Sequence, residues 1–117
     1  APAGQPAFRT VGVGLRTALR RGLPLRVTCP QSCDASATAR IGAGTARRNR
    51  LGRRAMVVGR GRLDAVEAGR TATLTVRFTE RARRRLRRAR RVELAVTVAF
   101  ATADGTATQA RRVALNR

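Results

Sequence analysis

Two sets of residues in this sequence have types and spacings suited to chemistry. Cys29 and Cys33 have three residues between them, in Cys29-Pro30-Gln31-Ser32-Cys33. That reach suits a disulfide closing the turn between two strands, provided the α-carbons come within about 7 Å. A zinc site would need four ligands and the chain has no histidine, while the two-residue spacing of redox dithiols is also missing. Two buried free thiols are the alternative to the bridge. The second set is the run from Thr79 to Arg91, which holds Arg81, Arg83, Arg84, Arg85, Arg87, Arg88, Arg90 and Arg91. Guanidinium forks match the oxygens of phosphates and carboxylates, so this run is a candidate polyanion site, with Arg47 and Arg48 in a second basic strip.

Enzymatic chemistry lacks its parts. Without His or Lys, and with Ser32 and Ser36 as the only serines, no nucleophile has an activating base. Asp64 and Glu67 are near neighbours, but such a pair more often shapes a turn than performs acid–base work. A calcium site would require both of them beside Asp104, which spacing alone does not provide. The chain therefore reads as non-catalytic, with no catalytic residue, metal or cofactor expected.

A chain of 117 residues makes one domain, able to bury roughly 65% of the surface its unfolded form exposes. Apolar residues supply 43% of it, mostly as Ala, Val and Leu, so the core is thin and a covalent fastening would help. Twenty-six basic against six acidic residues give a formal net charge of +20, which attracts polyanions at long range. Every basic residue is arginine and Tyr, Trp and His are missing, a pattern that the codon bias of a GC-rich genome also produces. Clustering is thus a better guide to function than the total. No run approaches the ~20 apolar residues of a membrane span, and the first residues lack a signal-peptide pattern. An exported protein would have lost its signal.

The elements that must position these residues are mostly strands. Residues 1–7, with Pro2, Gly4 and Pro6, read as a linker or processed terminus, and 8–117 as the domain. Phe8 to Leu15 predicts an edge-like strand, and Arg16 to Gly22 one turn of helix ending at a glycine. Leu23 to Cys29 and Cys33 to Ile41 alternate cleanly and point both cysteines inward. Gly42 to Arg54 reads as a mobile basic loop. Ala55 to Leu63 is extended, with Gly59 and Gly61 marking a bulge or a close backbone approach, and Asp64 to Gly69 a turn. Thr71 to Phe78 alternates again. Thr79 to Arg91 then predicts a helix with Thr79 as N-cap and Ala82, Leu86 and Ala89 on one apolar stripe. Val92 to Thr102 pairs with the last strand through a two-residue turn at Asp104-Gly105, setting Val96 opposite Val113 and Leu94 opposite Leu115.

About seven strands with one arginine-rich helix between the fifth and sixth predict an all-β, antiparallel, immunoglobulin-like sandwich, with an open barrel as the lesser alternative. The chain resembles the Ig-like modules repeated in secreted and cell-surface proteins of GC-rich actinobacteria. The resemblance rests on Leu25-Arg26-Val27-Thr28-Cys29 followed by Cys33, on Leu63 with Ala68-Gly69 before the strand from Thr71 to Phe78, and on Thr79 to Leu86. It closes with Asp104-Gly105 and Val113-Ala114-Leu115. It implies an extracellular or cell-surface, non-catalytic module, structural or adhesion-type, whose partners are neighbouring domains of a larger chain; it carries no binding residues.

The alternative is non-specific binding of nucleic acid or an acidic cell-wall polymer through the arginine helix. Base-specific DNA reading is not expected, because the helix has no Asn or Gln to meet adenine. Single-strand stacking fails for lack of aromatic residues among the arginines, and a membrane-surface helix for lack of apolar area.

Overall fold

The computed structural model describes residues 6–117. Seven antiparallel strands form one sheet in the order β1-β2-β5-β4-β3-β6-β7, curled until its first and last strands approach each other. They are β1 (Ala7–Thr10), β2 (Leu23–Thr28), β3 (Cys33–Ile41), β4 (Met56–Val66), β5 (Thr71–Phe78), β6 (Arg91–Thr102) and β7 (Gly105–Asn116). Three short helices interrupt them: α1 (Leu15–Arg21), α2 (Ala43–Arg48) and α3 (Glu80–Leu86). Of the expected linker 1–7, residues 1–5 lie outside the described residues, and Ala7 already belongs to β1. No described helix is long and apolar enough to cross a membrane.

Alternation sets the core. Leu23, Leu25 and Val27 of β2, Leu74, Val76 and Phe78 of β5, and Val92, Leu94, Val96, Val98 and Phe100 of β6 are all buried. The inward row of β3 is smaller, with Ala35, Ala37 and Ala39, and its partners on β4 across the ladder include Gly61 and Gly59. That lack of side chains lets β5 cross against β4, pairing with it only at Gly59↔Phe78 and Arg60↔Arg77. A Cβ on Gly61 would overlap the Thr75 carbonyl oxygen and stand 2.7 Å from Leu74 Cδ2. The glycines therefore mark a close approach that joins all seven strands in one sheet.

Several sequence expectations are corrected. The strand expected over 8–15 ends at Thr10, because the next partner on β2 is Pro24, which accepts from the Val11 amide at 3.2 Å but has no N–H to return, and Leu15 then opens α1. The loop expected over 42–54 contains α2, whose Thr45 and Ala46 are buried and whose end is fastened by a Leu51 amide donating to Ala46 O at 2.9 Å. The turn expected at 64–69 starts later: β4 runs on to Val66 through an irregularity at Ala65 (φ 56°), whose amide donates to Asp34 Oδ1 at 2.8 Å. The helix expected over 79–91 stops at Leu86, because the β6–β7 ladder begins at Arg91↔Asn116 and the Arg117 amide reaches Arg90 O at 2.8 Å. The N-cap is as expected, Thr79 Oγ1 accepting from the Ala82 amide at 3.2 Å.

The last hairpin turns at Ala103-Asp104, pairing Thr102 with Gly105. Asp104 does not take the positive φ that a type I′ turn would require; Gly105 does, at 133°, and Thr102 Oγ1 braces the turn through Asp104 N and Gly105 O. Leu94 therefore faces Val113 and Val92 faces Leu115, two residues away from the expected register but on the same face.

Cys29 and Cys33 form a disulfide, with α-carbons 6.3 Å apart and both residues buried. The turn it closes carries the chain from β2 to β3, which do not pair with each other, and the Gly69 amide bonds Cys29 O at 2.8 Å alongside it. A loop this short is worth roughly 2 kcal/mol by the chain-entropy estimate. The double variant Cys29→Ala/Cys33→Ala should lose about that much in urea unfolding. An unchanged midpoint would mean that the hydrogen bonds hold the turn unaided.

Candidate anion site at the helix end

Antiparallel order sends every odd-numbered crossing the same way. The connections β1–β2, β3–β4 and β5–β6, which carry α1, α2 and α3, all lie at one end of the sheet together with Arg117. The turns β2–β3, β4–β5 and β6–β7 lie at the other. The molecule measures 46 × 24 × 22 Å, and its twelve-residue strands span roughly 40 Å, so these two ends are the poles of the long axis.

Charge follows the same division. The three helix-end connections hold three, five and seven arginines, whereas Arg70 is the one arginine in the three turns opposite. Asp34, Asp64, Glu67 and Asp104 all fall at the turn end, leaving Glu80 and Glu93 near the helices. Asp64 bonds Arg62 at 2.8 Å and Glu67 bonds Arg70 at 3.0 Å. The Arg62 guanidinium is thereby held above its usual pKa, first by the hydrogen bond to Asp64 and then by its charge. Among the described residues, no three acidic, histidine or cysteine groups gather as a metal site would require, so Asp64, Glu67 and Asp104 do not form a calcium cluster.

The helix end has relief. Helices α1 and α3 pack together, burying Leu15, Ala18 and Leu19 from one and Ala82 and Leu86 from the other. Between them runs an open groove of about 700 Å³. Arg16 and Arg20 form its α1 wall; Arg83, Arg84, Arg87 and Arg88 form the opposite one, with Leu19, Glu80 and Arg117 completing the lining. Glu80 pairs with Arg84 at 3.2 Å; among the described residues the other six arginines make no ion pair.

Of the arginines singled out in the sequence, Arg83, Arg84, Arg87 and Arg88 thus come together. Arg81 and Arg85 are exposed on α3 outside the groove, Arg90 lies in the following turn, and Arg91 pairs with Glu93 at 3.2 Å. Arg47 and Arg48 share the helix end but not the groove. Sequence reasoning missed Arg16, Arg20 and Arg117. The spacing of Leu15, Ala18 and Leu19 at i, i+3 and i+4 was the available signal, since it leaves Arg16 and Arg20 on the opposite, exposed face.

What fold and site define is a class: a small antiparallel β-domain with a basic helical pole and an acidic pole of turns. No protein-family model matches the chain, and no curated protein is significantly similar to it.

Proposed function

We propose that this chain is a non-catalytic, adhesion-type module of an exported or cell-surface protein, Ig-like in architecture, that holds polyanions at its helix end. The observation that carries this reading is the segregation of charge along the long axis. The helix-end connections carry arginine at 15 of 38 positions and the turns at one of ten, while four of the six acidic residues lie at the turn end; a uniform codon bias supplies arginines but not this opposition of sign. The disulfide supports an oxidising compartment, where such bridges persist. Two strand groups, β1-β2-β5 and β4-β3-β6-β7, joined by the short β4–β5 contact and approaching again where β1 meets β7, support an Ig-like sandwich nearly closed into a barrel. Neighbouring domains of a larger chain remain its structural partners.

A salt titration tests the reading against duplex DNA and an acidic non-nucleic polymer. One variant carries Arg84→Gln/Arg87→Gln/Arg88→Gln; another removes the same charge from mid-strand positions, as Arg9→Gln/Arg26→Gln/Arg60→Gln. Binding should persist near 0.15 M salt and weaken by about tenfold or more in the first variant, with a change of under about threefold in the second. Equal losses in both would make the charge a general background and leave a plain spacer.

A further inference from the structure

We propose that the α1–α3 groove takes a linear phosphate polymer without nucleobases, bound as a single chain lying between the two helices. This rests on the polyanion reading of the helix end and names its ligand. Arg16 and Arg20 lie four residues apart on α1, and Arg83 and Arg87 repeat that interval on the facing wall, a step of about 6 Å along each axis. Two walls with repeating charge suit a chain that carries charge at every link. An open groove of about 700 Å³ holds a single strand between its two walls, whereas a duplex lies across its rim and meets each wall from outside.

What the groove lacks narrows the ligand further. Its one apolar lining side chain is Leu19. The chain has no Trp, Tyr or His, and Phe8, Phe78 and Phe100 are all buried, so neither bases nor sugar rings have a surface to stack on. Recognition must then come from the charges themselves. Phosphate links suit the guanidinium fork with two free oxygens each and present them from the backbone. A carboxylate polymer carries its charges on flexible arms, each of which must be ordered before both walls are engaged.

The test compares inorganic polyphosphate, polyaspartate of equal total charge and single-stranded DNA at about 0.15 M salt, using the wild type and two double variants. Arg16→Gln/Arg20→Gln removes the α1 wall; Arg47→Gln/Arg48→Gln removes equal charge from the same end outside the groove. Polyphosphate should bind at least about tenfold more tightly than either competitor, the α1 variant should lose about tenfold or more, and the α2 variant under about threefold. Circular dichroism and thermal melting of both variants confirm that the fold is intact. Polyaspartate or DNA binding as tightly as polyphosphate would overturn the phosphate assignment while leaving the helix end as a polyanion site. Equal losses in the two variants would overturn the groove. Failure of all three polymers to bind would remove both readings.

Discussion

Replacing Phe100 with alanine should cost about 3–5 kcal/mol, a large share of the roughly 5–15 kcal/mol that holds a typical domain folded. Phe100 is fully buried and is one of only three aromatic residues in the chain. Its neighbours across the ladder are Ala35 on β3 and Ala107 on β7, methyl groups with no freedom to lean into the space it would vacate. The loss therefore belongs near the upper end of the range, where cavities do not collapse. Phe100→Leu preserves most of the volume and should cost under about 1.5 kcal/mol. Urea unfolding of both variants decides the matter: similar midpoints would mean that the thin core repacks more freely than its alanines suggest.

Two glycine-to-alanine substitutions should act with opposite signs. Gly61→Ala places a methyl group on the Thr75 carbonyl oxygen and 2.9 Å from Thr75 C. Backbone cannot rotate aside as a side chain does, so β4 and β5 would have to separate, at roughly 3 kcal/mol. Gly44→Ala meets nothing within 4 Å, and Gly44 lies inside α2. There alanine should stabilise by up to ~1 kcal/mol, through helix propensity and a less flexible unfolded chain. Thermal unfolding of the pair reads both effects. A neutral Gly61→Ala would show that the β4–β5 crossing is slack and that the single sheet does not depend on it.

The strands were legible where parity was strict. Thr71–Phe78 and Cys33–Ile41 have the expected limits, because alternating burial on a pleated strand leaves its signature in the residues themselves. The helices were less so. Residues 43–48 bury only Thr45 and Ala46, too little for any periodicity to register, and the anchoring residue Leu51 lies beyond the helix. The end of α3 was hidden for a different reason: Arg87 to Arg90 suit a helix as well as a turn, and only the ladder partners of Arg91 decide. Half of the groove was legible as the arginine run. The other half depends on α1 meeting α3, a consequence of strand order that no local pattern carries.

The chain enters β1 beside the disulfide turn and leaves β7 at the helix end, with most of a 46 Å molecule between. Tension applied through Ala7 and Arg117 would drag β1 lengthwise along β2, and β7 lengthwise along β6. Ladders pulled this way share the force among all their hydrogen bonds, whereas ladders peeled from one end surrender them singly. Twelve residue pairs hold β7, but only four hold β1, so β1 is where a stretched molecule would first give way. The Phe8 amide bonded to Gln109 Oε1 at 3.2 Å, and Arg111 lying over the Phe8 ring, fasten that weak strand to the far edge of the sheet. They act as a catch that has to slip before the sheet can be drawn open.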